Sequence, residues 1–323
     1  MKRKYMLDFD DPSNWLNVQD NETPEGELVE NVYLMIPPDP SGNRLFAMTW
    51  NEWFPIDFLT PFHYHEKSYE TFFIKSGSLQ LHSGHKQCRV EAGSIIHYGP
   101  YDMHGLRFHE KVVSRGFFQN FNALDSIADR TVLEEYYPDV RKRMMEARDP
   151  NEPYYDKIDL EYLDYEEVPA EQMRAVKHPD RPEAVFELDG IKMKLLLPRR
   201  ELGGVREMWR FEVEKGYRAE SVEFPENRQL FYLVEGELEC KVCEDSFVAD
   251  KECLIDIPRH YKHSLKAKTD VVMYDVGGLS GWYNFLHDYT AVKKNSPEKF
   301  NDEKYIANLK KKNKIVIKSF GKE

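Results

Sequence analysis

The sequence predicts an all-β protein of two tandem barrels, with a helical connector between them and a helix near the C-terminus. Three observations predict it. The chain repeats itself at one offset, each copy is a series of short apolar runs punctuated by Gly and Pro, and 323 residues suit two domains of about 150 each. A shift of 159 residues lays Trp50 on Trp209, Phe72 on Phe231, Gly77 on Gly236, Leu79 on Leu238 and His104 on His263 without a gap. Apolar character is also kept at Ile95/Leu254, Ile96/Ile255, Leu106/Leu265 and Val113/Val272.

Along the chain, residues 1–124 read as the first barrel. Glu70 to Leu81 is an aromatic and aliphatic run broken at Gly77 and then resumed with alternation, and Gln229 to Cys240 repeats that plan around Gly236. Residues 125–185 read as connector. Leu133, Tyr136, Tyr137, Val140 and Met144 fall near helical spacing, interrupted by Pro138, and residues 149–185 carry five prolines among many acidic side chains. Residues 186–292 read as the second barrel. The tail, 293–323, holds a helix expected over Pro297–Lys312, with Pro at its start, and a strand-like piece at Lys314–Lys318.

Composition narrows the function. Hydrophobic residues make up 41% and charged residues 32%, the profile of a globular chain, and the net charge of −12 repels phosphate backbones. Nucleic acid is therefore excluded as an expected partner. The basic run Lys310–Lys312 with Lys314 reads as a solvated helix end. Met1 to Asp10 has no apolar stretch behind its basic residues, and no run approaches about 18 apolar residues, so neither a secretory signal nor a membrane span is expected. Four cysteines are too few for a disulfide framework. Cys240 and Cys243, three apart on a strand-like run, face opposite sides and read as packing residues. A reducing, cytoplasmic compartment fits.

The chemistry concentrates between Phe62 and Gly77, which reads FHYHEKSYETFFIKSG. His63 and His65, two apart on a strand, share a face. Glu70 opens the next apolar strand, and His104 follows a strand and turn that return the chain across the barrel. Three imidazoles and a carboxylate suit one divalent transition metal (Fe, Mn, Ni, Co, Cu or Zn) with one or two positions left open. Strand alternation places Phe72 on the ligand face. Trp50, Phe54, Phe58, Phe62 and Phe108 lie on segments leading to it, and Trp50, Phe72 and Phe108 are the residues expected to line a substrate pocket. His97, Tyr98, Tyr101 and Asp102 read as turn residues near the mouth, whereas His82 and His85 read as a hairpin loop outside the site.

His63-x-His65-x4-Glu70-x6-Gly77, with Gly93 through Pro100 to His104, resembles the two motifs of the cupin superfamily, and the duplication resembles a bicupin. The resemblance implies double-stranded β-helix barrels, assigns His63, His65, Glu70 and His104 as metal ligands, and implies dimerisation through edge strands. Two departures stand out: Phe54–Phe62 lacks the Gly that usually opens the first motif, and Gly99 stands where the second motif commonly has Pro. His-Tyr-His-Glu-Lys-Ser-Tyr-Glu is similar to the quercetin dioxygenase branch, in which the residue corresponding to Glu70 also serves as base. In the second barrel Val222, Phe224 and Gln229 replace His63, His65 and Glu70, leaving His263 and a metal-free, structural domain. The leading expectation is a quercetinase-like, ring-cleaving, metal-dependent dioxygenase acting on a small aromatic or enolic molecule, with Glu70 as catalytic base. The alternatives are a redox-neutral metal-dependent lyase, isomerase or hydrolase, and a non-catalytic cupin that binds a small molecule.

Overall fold

The computed structural model describes residues 5–22, 26, 28–36, 46–59, 68–119, 165–204, 206–223, 228–277 and 282–322. The helical connector expected over 125–148 lies outside the described residues, as do His63, His65 and Phe62. The chain divides into two compact units, residues 13–178 and residues 1–12 together with 179–323. Strand β1 (Met6–Asp8) belongs to the second unit.

The first unit contains β2 (Asn17–Glu22), β3 (Leu28–Ile36), β4 (Phe46–Trp53), β5 (Ile56–Leu59), β6 (Tyr69–Ser76) and β7 (Ser78–Ser83). It continues with β8 (Lys86–Glu91), β9 (Ile95–Tyr98), β10 (His104–Phe108) and β11 (Val112–Gln119), and then β12 (Glu166–Glu167) and β13 (Val176–Lys177). These form a seven-stranded sheet, β13-β9-β6-β11-β4-β3-β2, facing a five-stranded sheet, β12-β8-β7-β10-β5. Alternation along each strand sends one set of side chains between the sheets. Phe72 and Ile74 of β6, Leu79 and Leu81 of β7, Ile96 and Tyr98 of β9, and Leu106 and Phe108 of β10 meet in one core.

The second unit repeats the plan with β14 (Ala184–Leu188), β15 (Ile191–Leu197), β16 (Met208–Val213), β17 (Tyr217–Val222), β18 (Gln229–Glu235) and β19 (Leu238–Val242). Then come β20 (Asp245–Ala249), β21 (Cys253–Ile257), β22 (His263–Ala267), β23 (Val271–Asp275) and β24 (Ser319–Lys322). Its sheets run β1-β21-β18-β23-β16-β15-β14 and β20-β19-β22-β17-β24. Tandem all-β barrels are thus present, and the strand order of the large sheets matches from one barrel to the other. The outer strand of each large sheet precedes the opposite barrel in sequence: β1 pairs with β21, and β13 pairs with β9. Each covers an otherwise open edge.

The duplication extends to backbone detail. Gly77 (φ +78°) and Gly236 (φ +93°) both turn where a Cβ would strike a backbone carbonyl, that of Lys111 in one barrel and Asp270 in the other. Gly84 and Cys243 share left-handed φ values of +58° and +53°, so Cys243 is an exposed hairpin-turn residue whereas Cys240 is buried in the core. One sequence match dissolves. Trp50 pairs with Arg115, but Trp209 pairs with Asp275, the counterpart of Gly116; the residue equivalent to Trp209 is therefore Thr49. A one-residue slip reverses a strand's faces, so Trp209 points into its barrel and Trp50 out of the other.

The tail differs from expectation. Trp282–Asn295, whose first residues the sequence places in the second barrel, is a helix (α1) burying Phe285 and Leu286. The single helix expected over Pro297–Lys312 is two, α2 (Pro297–Phe300) and α3 (Glu303–Lys312). They separate because Asp302 takes an extended conformation and its carboxylate caps α3, accepting from the Lys304 and Tyr305 amides at 2.9 and 3.2 Å. Beyond α3, Ile315 and Ile317 are buried, Val316 bridges to Glu223, and β24 pairs with β17. Among the described residues no helix is long and apolar enough to cross a membrane.

Candidate metal centre

Of the four residues expected as ligands, the described ones, Glu70 and His104, come together. Glu70 is the second residue of β6 and His104 the first of β10, so strands from opposite sheets bring them to one end of the barrel. His104 Nε2 lies 3.2 Å from Glu70 Oε2, and both side chains are buried. On the other side of the ring, His104 Nδ1 is 2.8 Å from the Asp102 carbonyl oxygen. A carbonyl can accept but not donate, so Nδ1 carries the proton and a neutral ring offers Nε2 as a bare lone pair.

Two lone-pair donors therefore face each other in a buried site, and something positive must lie between them. A shared proton serves in the free protein. A metal ion serves as well, because ligands held about 2.0–2.2 Å from one ion stand roughly 3.0–3.4 Å apart. The donor set and its spacing thus fit a divalent transition metal. Among the described residues, which do not include His63 and His65, no group of three or more His, Cys, Asp or Glu side chains gathers.

The turn between β9 and β10 sets this geometry. Asp102 accepts from the Gly99 amide through Oδ2 at 2.8 Å, and its own amide donates to the Gly99 carbonyl at 3.1 Å. Tyr101 takes φ +65° at the exposed tip. Asp102 is thus a turn clamp. Tyr98, expected on the turn, is instead the last residue of β9, pairs with Glu70 in register, and is buried. Its ring stacks on His104, with centroids 3.7 Å apart and planes 9° apart. His97 points to the other face, where its Nδ1 lies 2.9 Å from Thr71 Oγ1 and its ring stacks on Tyr69.

Of the expected pocket residues, Phe72 and Phe108 face inward, but Trp50 does not: its ring packs with Trp15, Tyr33 and the buried Arg115 on the outer face of the large sheet. Trp53 takes the inward place, three residues on and hence on the opposite face. It stacks on Phe108 at 4.9 Å and meets Phe72 edge-on at 5.3 Å, while Phe118 meets Phe72 at 5.4 Å. Trp53 is pinned by Glu30, whose Oε1 accepts from Trp53 Nε1 at 2.6 Å and Asn51 Nδ2 at 2.7 Å. The register puts apolar Ile191, Phe211 and Val213 at the equivalent places of the second barrel. Alternation within β4 was the available signal for Trp53.

His82 corrects a second expectation. It is not in a loop but in β7, opposite Gly105, on the outer face of the small sheet under the Tyr165 ring, 4.4 Å away. Among the described residues neither ring nitrogen has a hydrogen-bond partner, and burial with the nearby Arg107 lowers its pKa to about 4. His85 is exposed in the hairpin turn, as expected. In the second barrel, His263 keeps the holding device of His104, with Nδ1 3.2 Å from the Tyr261 carbonyl, but Gln229 stands in the place of Glu70. Burial lowers the His263 pKa to about 4.

Comparison with solved structures finds the same overall fold in oxalate decarboxylases. The oxalate decarboxylase of Lactobacillus farciminis, in its formate complex, superposes with a TM-score of 0.52 at 11% identity, over 92% of this chain and 94% of that one. The Bacillus subtilis oxalate decarboxylase at pH 4.6 gives 0.51 at 12% identity, over 94% and 86%. A tryptophan-to-tyrosine variant of the Bacillus subtilis enzyme gives 0.50 at 13%, over 99% and 90%. At such identities the likeness is one of fold. No protein-family model matches the chain, and no curated protein matches it.

Proposed function

We propose that the first barrel is the active centre of a metal-dependent enzyme that carries out a redox-neutral, lyase-type reaction on a small acid or enolisable molecule. The observation that carries this reading is the opposed pair, His104 Nε2 and Glu70 Oε2, with Nδ1 already committed to Asp102. His63 and His65 would complete the ligand set. The chemistry supplied by a bound divalent ion is Lewis-acid polarisation of a substrate oxygen. Glu70 holds or releases a proton beside the substrate, its second role being that of base. Trp53, Phe72, Phe108 and Phe118 form an apolar wall inside the same barrel, with Phe118 opposite Glu70 in register. A lyase is favoured over the dioxygenase first expected because the superposed enzymes are oxalate decarboxylases, covered over nearly their whole length.

The aromatic wall favours a second reading, the ring-cleaving dioxygenase, since flat apolar rings suit a phenolic or enolic substrate. Oxygen separates the two. Metal-loaded protein is incubated with small dicarboxylic and oxo acids and with flavonols, under argon and in air, while carbon dioxide release and oxygen uptake are followed. The lyase reading expects carbon dioxide from an acid at the same rate under argon. Turnover that stops under argon and consumes oxygen in proportion to flavonol lost would overturn it in favour of the dioxygenase.

A further inference from the structure

We infer that Tyr98 is a positioning residue for the metal centre, a plate that fixes the plane of the His104 imidazole; this rests on the reading of His104 as a ligand. A ligand imidazole must present one nitrogen along a set direction, and two freedoms must be removed to hold it there: rotation within the ring plane and tilt of the plane itself. The Asp102 carbonyl removes the first by holding Nδ1 at 2.8 Å. Nothing in that single bond restrains the tilt. Tyr98 does, because its ring lies nearly parallel to the imidazole, with 3.7 Å between centroids and 9° between planes.

The two rings come from different sheets. Tyr98 ends β9 of the seven-stranded sheet and His104 opens β10 of the five-stranded sheet, so the stack spans the barrel at the end where Glu70 stands. Tyr98 is itself buried, 1% exposed and part of the core around Phe72, Ile96 and Leu106. The second barrel offers a natural contrast. By the register of β18 with β21, the residue at the place of Tyr98 is Ile257, paired with Gln229 as Tyr98 is with Glu70. The barrel that lost the carboxylate lacks the plate as well, while the Nδ1-to-carbonyl bond common to both barrels is retained. The ring is therefore associated with the candidate ligand set rather than with the fold.

The Tyr98 hydroxyl is buried without a hydrogen-bond partner among the described residues, so the face of the ring, not its oxygen, does the holding. This separates the variants. Tyr98→Phe keeps the plate, and Tyr98→Leu removes it while keeping an apolar core residue. In the full chain, Mn2+ affinity is measured by chelator competition, and the ring nitrogens of His104 are followed by 15N NMR in metal-free protein, assigned by their loss in His104→Asn. Thermal unfolding of each metal-free variant establishes that it is folded. We expect Tyr98→Phe to match wild type in both readouts. Tyr98→Leu should bind Mn2+ about 10- to 100-fold more weakly, the usual cost of losing a group that orients a ligand, and should show broadened or averaged His104 signals. A folded Tyr98→Leu protein that matches wild type in both would overturn the inference. If wild type takes up no Mn2+ while the His104 signals still loosen in Tyr98→Leu, the metal reading falls and the positioning role stands. Equal loss in Tyr98→Phe would also overturn the plate, by moving the effect to the hydroxyl.

Discussion

His104 can satisfy the Asp102 carbonyl, the Tyr98 ring and Glu70 at once only if Nε2 and Oε2 share something positive. Replacing Glu70 by Gln tests that account at its most sensitive atom. A carboxamide can still donate to or accept from His104, so the pair survives, but it offers no negative charge and cannot take a proton. Glu70→Gln is expected to retain part of its metal and to lose turnover by about 10²- to 10⁴-fold, the usual range for a general base. Metal analysis beside a kinetic assay checks it, and undiminished turnover would remove Glu70 from the proton-transfer role. The residue pattern made Glu70 and His104 legible in the sequence, because alternation and the Gly-punctuated motif specify where each must stand. It placed Tyr98 near the mouth but as a turn residue, and did not reveal its stack on His104, which joins strands of opposite sheets.

At the level of strands and turns, the two glycines at +78° and +93° bear the tightest constraint in the barrels. Each has a left-handed conformation, and each has a facing carbonyl where a Cβ would go. Gly77→Ala and Gly236→Ala should therefore each destabilise by at least about 1–3 kcal/mol, read as a lower midpoint in urea without loss of β-sheet signal. A midpoint shift equivalent to less than about 0.5 kcal/mol, the scatter of harmless surface changes, would show that the turn relaxes. The runs Glu70–Leu81 and Gln229–Cys240 were readable as strands from their alternation, yet the faces of β4 were not. The 159-residue offset aligns Trp50 with Trp209, and a one-residue slip between β4 and β16 makes that identity accidental. The helix α1 is hidden in the sequence because Phe285, Leu286 and Tyr289 follow directly on a strand-rich run. The reciprocal edges β1 and β13 have three and two residues, too few to carry any periodic signal.

Across the whole molecule, His82 and His263 make stability depend on pH. Both are buried, and both pKa values are lowered to about 4 from the ordinary 6.5, so the folded protein keeps them neutral while the unfolded chain protonates them first. The sign follows. Their contribution is fully present above pH 6.5 and is lost as pH falls from 6.5 through about 4. A tenfold difference in proton affinity between folded and unfolded chain is worth about 1.4 kcal/mol, so the loss approaches roughly 3 kcal/mol for each histidine. Urea midpoints between pH 7 and 4 should fall, and His82→Phe and His263→Leu should each flatten that slope. A slope equal to wild type in both variants would assign the acid sensitivity to other groups. The shared backbone plan of the two barrels, set against their different polar contents, was half legible: the sequence displayed the lost ligands, but not the buried Glu30 network or the outer-face burial of His82.

The measurement that bears most directly on the account is metal content per chain, by plasma mass spectrometry, on protein purified without chelator or affinity metal. The account predicts about one divalent transition-metal ion per chain, lost in His104→Ala and retained in His263→Ala. No metal in the wild type and none taken up on adding Fe, Mn, Ni, Co, Cu or Zn, or equal loss in the two variants, would contradict it.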